Sequence, residues 1–167
     1  NLTVIGTTNK HGTLVRFKPD PKIFPNTKLS FDKIATRIEE RSFLCPGIRF
    51  ILKDEAANNV KEFYSEHGLS DYVSHLCKDK ETLGEQVVIS EYYGKIKVDI
   101  AMQWCLRDYD RDRIFSYAND VKTSDGGTHL QGFKASLTKT LNDWAQTNEI
   151  IKAKDSIDGG DIQEGFC

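Results

Sequence analysis

The sequence contains no apolar run that approaches the roughly 20 residues needed for a membrane-spanning helix. It also lacks a secretory signal at its amino terminus. We therefore expect a cytoplasmic domain with no membrane partner. The first residue is Asn1 and the single methionine is Met102, which leads us to expect a piece of a longer protein.

Motifs for metal binding and disulfide chemistry are missing as well. The four histidines form no H-E-x-x-H pair, and no two cysteines are close enough for a C-x-x-C motif. The cysteines are Cys45, Cys77, Cys105 and Cys167. We predict reduced thiols and no metal site.

A surplus of positive charge is also absent. Lys and Arg total 23 against 25 Asp and Glu, for a net charge of -2. The whole chain therefore gives no electrostatic signal for nucleic-acid binding, and any contact with DNA must come from a local patch.

The remaining sequence is that of a globular domain, with 38% hydrophobic and 29% charged residues in 167. Alternating and helical apolar spacings predict the order β-α-β-β-α-β-β-β-α. The predicted strands cover 12–17, 47–54, 59–66, 86–93, 95–105 and 112–121, and the predicted helices begin after Ser30 and cover 69–77 and 128–146. This order favours an α+β domain with helices packed on a mostly antiparallel sheet, formed by residues 1–167 as one domain.

Two helices carry apolar stripes that we expect to be buried. In the first helix, Ser30 is the predicted N-cap and Pro46-Gly47 ends the helix. Its stripe consists of Phe31, Ile34, Ala35 and Ile38. The last helix should pack on the sheet through Leu130, Phe133, Leu137, Leu141 and Trp144.

The stretch SDGGTHLQGFKASLTKTLNDW at 124–144 invites comparison with a phosphate-binding loop. Gly127 and Gly132 have the spacing of the G-x-x-x-x-G-K-[ST] motif, but Phe133 occupies the lysine position and Lys134 comes one residue late. On a helix this displacement turns the lysine by about 100°. Nucleotide binding by this stretch alone is therefore disfavoured.

A helix start explains the same residues better. Thr128 and Gln131 match a capping box, and Gly126-Gly127 supplies the backbone freedom of the entry loop. We expect close packing at Gly132, because glycine is otherwise unfavourable in a helix. His129 has no evident catalytic partner in the sequence, so a surface or capping-turn histidine is favoured over a catalytic one.

The same stretch resembles a signature of the B subunit of bacterial type IIA DNA topoisomerases. Further similar segments follow in family order: GTLVRFKPDPKIF, RSFLCPGIRFILKDE, FYSEHGLSDYV, VDIAMQWC, IFSYANDVKTSDGGTHL and DIQEGF. Together they cover residues 11–167. Gln163 departs from the arginine common in the family's D-x-R-E-G segment. FLCPGIRFILKDE and HGLSDYV are more similar to topoisomerase IV than to gyrase, which remains the alternative.

The resemblance implies the transducer domain of such a protein, with a fold like the second domain of ribosomal protein S5. In the family this domain couples ATP binding and dimer closure to passage of DNA. The family's ATP-contacting Q-T-K loop does not occur here. The resemblance thus implies ATP and Mg²⁺ for the full-length protein, and no catalytic or cofactor-binding residue in this chain. The implied partners are double-stranded DNA, the topoisomerase A subunit and a second copy of the B subunit.

Five basic residues are candidates for contact with DNA. Lys33, Arg37 and Arg41 recur at intervals of four and share one face of the first helix. Lys134 and Lys139 lie on the last helix. An ordinary solvated face is the alternative, because Glu39 and Glu40 lie beside the first group. Ignoring the resemblance, a stand-alone α+β RNA-binding module or an independent enzyme remains open, although no RNP-like string or acid–base constellation supports either.

Overall fold

The structure is a computed structural model that describes residues 3–106 and 113–167. Its elements, in chain order, are α1 (Phe31–Leu44), β1 (Phe50–Asp54), β2 (Asn59–Phe63), α2 (Leu69–Leu76), β3 (Thr82–Tyr93), β4 (Ile96–Cys105), β5 (Tyr117–Ala118), β6 (Val121–Lys122), α3 (Thr128–Thr147) and α4 (Gly159–Ile162). Helices combined with antiparallel pairs confirm the α+β class. The pairing among the described residues forms three separate two-stranded hairpins.

Helix α1 begins and ends where the sequence predicts. The Ser30 hydroxyl accepts a hydrogen bond from the Lys33 backbone N–H at 3.3 Å, which satisfies one of the unpaired donors of the first turn. The helix ends at Leu44, and the Cys45 N–H still donates to the Arg41 carbonyl. Of the predicted stripe, Ala35 is fully buried and the other three positions are half-buried.

The predicted strand over 12–17 is wrong. These residues have no strand partner in the part of the chain that the structure describes, and Leu14 is 93% exposed. An extended segment forms a strand only when its backbone groups pair with a neighbour, whatever its side-chain alternation. An ion pair between Arg16 and Glu55, at 2.7 Å, places this segment beside the β1–β2 turn.

The predicted single strand over 112–121 is also wrong, and residue 112 lies outside the described residues. The chain reverses at Asn119 and Asp120, whose φ values are 47° and 62°. Asn and Asp tolerate this left-handed region better than other non-glycine residues, so the pair forms a tight hairpin turn between β5 and β6.

The carboxyl-terminal segment completes the sheet edge at β4. Gln103 and Cys167 exchange backbone hydrogen bonds of 2.9 and 2.8 Å, and the Cys105 N–H donates to the Gly165 carbonyl at 2.7 Å. Trp104 lies opposite Phe166, with ring centroids 5.0 Å apart. This segment therefore acts as a short third strand, antiparallel to β4.

Helix α3 is covered by the carboxyl-terminal segment. Its Phe133 ring lies 6.1 Å from the Phe166 ring, centroid to centroid. The expectation that Trp144 is buried is wrong, because its side chain is 57% exposed while Ala145 is only 3% exposed. The residues after the helix return over Ala145, whose carbonyl accepts from Ile150 N–H at 2.8 Å, and a small side chain permits that approach.

Candidate nucleic-acid interface

The three basic residues of α1 are placed differently from one another. Lys33 is exposed in the first turn. Arg37 pairs with Glu40 at 3.4 Å; the Arg37 side chain is exposed and the Glu40 side chain is half-buried. Arg41 donates to the backbone carbonyl of Asp120 in the β5–β6 turn. The stripe predicted from spacing exists as a helix face, but Arg41 is engaged in a contact within the chain.

The two lysines of α3 differ in exposure and in direction. Lys139 is exposed, and Lys134 is half-buried. A separation of five residues turns them about 140° apart around the helix axis, so they do not share one narrow face. The structure thus brings Lys33, Arg37 and Arg41 together on α1, whereas the two lysines of α3 remain separate positive charges.

The loop before α3 has an unusual backbone. Gly126 and Gly127 have φ values of 74° and 152°, in the region that favours glycine. A Cβ on Gly127 would lie 2.8 Å from Cε1 of His129 and 2.9 Å from its Nδ1. A larger residue here would have to displace the imidazole ring and adopt a φ that L-residues rarely adopt.

The capping box predicted for this helix is wrong. Gly127 is the N-cap, and the helix start has no side-chain cap hydrogen bond. Thr128 is already the first helical residue, so its hydroxyl is past the position from which a cap accepts. His129 instead contacts Thr123, with 3.2 Å between Nε2 and Oγ1, and Thr123 Oγ1 is 2.6 Å from Ser116 Oγ.

The expected close packing at Gly132 is wrong as well. An added Cβ would meet no heavy atom within 4 Å among the described residues outside the helix backbone. Gly132 is exposed on α3. Nothing in the described structure explains a glycine at this position.

An aromatic cluster joins α1, α2 and the β5–β6 hairpin. Phe43 stacks on Tyr72 with centroids 5.0 Å apart, and Tyr72 stacks on Phe115 at 5.9 Å. The Lys122 ammonium lies 4.5 Å from the centre of the Phe115 ring, a cation–π distance. We call Phe43, Tyr72, Phe115 and Tyr117, together with the Arg41–Asp120 contact, the α1 junction.

Electrostatics at the α1 junction follow from burial. Burial raises the pKa of the Tyr72 hydroxyl, and the neighbouring Tyr117 hydroxyl raises it further. The Tyr117 hydroxyl has no hydrogen bond of good geometry among the described residues. Both phenols therefore remain neutral across the physiological range.

Sequence reasoning missed the α1 junction, because its parts are far apart in sequence and one of them is a backbone carbonyl. The acceptor for Arg41 is a main-chain carbonyl, which any residue type could supply. The adjacent Asn119 and Asp120 are residue types that favour turns, and this pair was the sequence signal of the turn that presents the carbonyl.

The described residues form neither a metal-binding group nor a membrane-spanning helix. No group of three His, Cys, Asp or Glu side chains there is placed to hold a metal ion. No helix within the described ranges is long and apolar enough to cross a membrane.

The sequence pattern of the DNA gyrase B family matches residues 68–167, which run from the residue before α2 through the carboxyl-terminal strand. This match covers more than half of the chain. The chain belongs to the DNA gyrase B family. The resemblance to the B subunits of type IIA topoisomerases is confirmed.

Individual members of the DNA gyrase B family extend the match to the whole chain. The topoisomerase 4 B subunit of Mycoplasma capricolum is 39% identical over 165 residues, covering 99% of this chain and 25% of the relative. The gyrase B subunit of Clostridium acetobutylicum is 40% identical over 167 residues, covering 97% of this chain and 26% of the relative. The chain thus spans about a quarter of the length of these relatives.

A solved structure is similar over most of the fold. The 43K ATPase domain of Thermus thermophilus gyrase B, in complex with an aminocoumarin, has a TM-score of 0.74 and 30% sequence identity. The similarity covers 90% of this chain and 41% of that one. The family's mixture of helices and antiparallel strands agrees with the fold described above, while the S5-like arrangement stays a prediction.

Proposed function

We propose that residues 1–167 act as the transducer module of an ATP-dependent type IIA DNA topoisomerase. The observation that carries this proposal is the family match over 68–167 combined with the α1 junction. The junction connects a helix that precedes the matched region to a hairpin inside it. Such a connection is what a module needs to pass movement from one part of a protein to another.

The direct route of coupling runs from α1 to α3. Arg41 holds the β5–β6 turn, and Thr123 follows that hairpin directly and contacts His129 in the first turn of α3. A displacement of α1 would therefore move the amino-terminal end of α3. In the full-length protein, ATP binding and closure of the dimer of B subunits supply the displacement.

ATP and Mg²⁺ belong to the full-length protein in this proposal. The described residues offer no cluster for a metal ion. This chain's own contribution is mechanical, together with contact to a DNA duplex. We assign no catalytic residue to it.

The candidates for DNA contact are the lysines of both helices and the arginines of α1. Contacts to phosphates carry no sequence information, so binding should not depend on base sequence. The net charge of -2 means that a single isolated chain should bind DNA weakly. Two copies facing one duplex in the closed dimer would double the number of contacts.

The test uses the full-length B subunit with its A subunit. Lys134→Ala with Lys139→Ala removes two charges from α3, and Lys152→Ala with Lys154→Ala is a control of equal charge at exposed positions near the carboxyl terminus. We expect only the α3 pair to reduce stimulation of ATP hydrolysis by DNA. Hydrolysis without DNA should be unchanged in both.

The stripe on α1 is tested in the same assay with Lys33, Arg37 and Arg41 changed together to Ala, and Arg41→Ala alone measures how much of the effect comes from its hydrogen bond to Asp120. Three phosphate contacts give a salt slope of about -2.7 in log K against log salt, and the slope should flatten in this variant. Unchanged DNA stimulation and an unchanged salt slope in both variants would show that these faces are only solvated.

We further propose topoisomerase IV as the subtype, supported by FLCPGIRFILKDE and HGLSDYV. The reconstituted enzyme should then decatenate and relax DNA. Introduction of negative supercoils by the same enzyme would instead assign it to gyrase.

A further inference from the structure

Three buried thiols meet in the core between α2, β4 and the carboxyl-terminal segment. Cys77 is the C-cap of α2, and Cys105 is the last residue of β4. Cys167 pairs with Gln103 along the edge of β4 that does not pair with β3. Each of the three cysteines is 6% exposed, and they share one apolar cluster with Val73. The Sγ atoms of Cys77 and Cys105 are 3.4 Å apart.

A cavity of about 300 Å³ lies against one of these thiols. It is lined by Val73, Ser74, Cys77, Lys80, Thr82, Gln86 and Gln103. Of the three cysteines, Cys77 is the one that lines the cavity. We therefore expect a small polar solute in the cavity to contact Cys77.

We propose that Cys77 is a modification site for small hydroperoxides and that Cys105 resolves the product into a disulfide. In the first step the Cys77 sulfur attacks one oxygen of the hydroperoxide, the O–O bond breaks, and water (or an alcohol) leaves with the thiol proton. The product is a sulfenic acid on Cys77.

In the second step the Cys105 sulfur attacks the Cys77 sulfur and breaks its S–O bond. The hydroxyl leaves as water with the Cys105 proton. Two electrons pass from the pair of thiols to the hydroperoxide. The resulting bond joins the end of α2 to the end of β4.

The geometry favours Cys105 over Cys167 as the resolving thiol, because its sulfur is a direct neighbour of the Cys77 sulfur. A disulfide has a sulfur–sulfur distance of about 2.05 Å, so the two atoms must approach by about 1.4 Å. Cys45, half-buried elsewhere, provides an internal comparison.

The pKa values of the buried thiols determine how fast they are oxidised. Burial raises the pKa of the Cys77 thiol, and hydrogen bonding to Cys105 raises it further. Burial likewise raises the pKa of Cys167, which Cys77 and Arg113 partly oppose. Since the thiolate is the reactive form, oxidation should be slow at neutral pH and should accelerate as pH rises past the ordinary thiol range.

The experiment treats the purified full-length protein with hydrogen peroxide and maps disulfides by mass spectrometry of unreduced tryptic peptides. Peptides 62–78 and 98–107 contain Cys77 and Cys105, and we expect them to become linked. The link should vanish after reduction with dithiothreitol. It should lose its selectivity when the protein is oxidised in denaturant.

Two variants test which cysteines react with the hydroperoxide and with each other. Cys105→Ser should remove the link and leave a Cys77 sulfenic acid that dimedone labels, whereas Cys45→Ser should leave the link unchanged. The wild-type map tests the proposal even if the Cys105→Ser variant fails to fold. A link between Cys77 and Cys167 in place of Cys105, or oxidation of Cys45 with no linked peptide, would overturn it.

Discussion

The guanidinium of Arg41, in the last turn of α1, donates a hydrogen bond to the backbone carbonyl of Asp120, 79 residues later in the chain. The contact crosses residue 68, where the family match begins. It holds the β5–β6 turn against a helix that is distant from it in sequence. Arg41 therefore has a structural role in addition to its charge.

Removing that hydrogen bond should cost stability. We expect Arg41→Ala to lower the free energy of unfolding by about 1 kcal/mol, because a charged donor is lost at an exposed site. Lys33→Ala, on the same helix face, should change it by less than about 0.5 kcal/mol. Urea titrations of both variants check this, and equal effects would contradict the assigned role of Arg41.

The two glycines around the start of α3 should respond in opposite ways to alanine. Gly127→Ala should destabilise the protein, because its φ is 152° and the new Cβ would clash with His129. Gly132→Ala should stabilise it by about 0.5–1 kcal/mol, since the site is open and alanine favours a helix. Thermal unfolding of the two variants measures the contrast. A destabilised Gly132→Ala would indicate a neighbour that the described residues do not include.

Two hydroxyl residues at helix starts should differ as well. Ser30→Ala should cost about 1 kcal/mol because Ser30 caps α1. Thr128→Ala should cost less than about 0.5 kcal/mol, since Thr128 makes no cap hydrogen bond. Chemical denaturation distinguishes them; a larger loss for Thr128 would restore the capping box that the sequence predicts.

Asn142 fastens the carboxyl-terminal segment to α3. Its side-chain amide donates to the Ile157 carbonyl at 3.0 Å and accepts from the Ile157 N–H at 2.7 Å. Asn142→Ala leaves both backbone groups unpaired and should cost about 2 kcal/mol. Hydrogen exchange should quicken at Ile157 and not at α2. Asn148→Ala, which removes an exposed contact to the Trp144 carbonyl, is the matched control.

Asp71 should make stability depend on acid pH. Burial alone would raise its pKa, but hydrogen bonds from the His67 N–H and the Ser65 hydroxyl outweigh burial and hold the pKa below its ordinary value. A lowered folded-state pKa contributes stability above about pH 3.9, and the contribution is lost as pH falls through the folded value. Asp71→Asn should therefore be less stable than wild type at pH 7, with the difference shrinking below about pH 4. A constant difference across that range would contradict this assignment.

Local patterns in the sequence predicted the elements whose partners lie close by. Helix α1, with its predicted cap and stop, and the hairpins of β1–β2 and β3–β4 were placed correctly, because their hydrogen bonds close within short segments. The strand predicted over 12–17 was not placed correctly. Alternating side chains indicate only a preference for extended backbone, whereas a strand also requires a neighbouring strand with which to pair. The helical stripe predicted that Trp144 faces inward, whereas the structure buries Ala145 in its place. Ala145 is buried because the chain after the helix returns over it. The periodicity of apolar residues within a helix cannot predict where the following residues pack.

The candidate site was predictable only in part. Spacing placed Lys33, Arg37 and Arg41 on one face, as the structure has them. The spacing did not show that Arg41 donates a hydrogen bond to a backbone carbonyl, because every residue type has such a carbonyl. The cluster of three core thiols could not be predicted either. These cysteines are 28 or more residues apart in the sequence, and only tertiary folding brings them together.

The strand that covers Trp104 arrives late in synthesis. On the ribosome, β3 and β4 emerge together and can form their hairpin, but Phe166 and its neighbours follow about sixty residues afterwards. Until then the indole, the edge of β4 and two of the three core thiols face the surroundings. A nascent chain at this stage offers an apolar strand edge of the kind that chaperones bind and that other chains join. Closure by residues 165–167 ends that exposure, so residues made about sixty positions later protect the edge of β4.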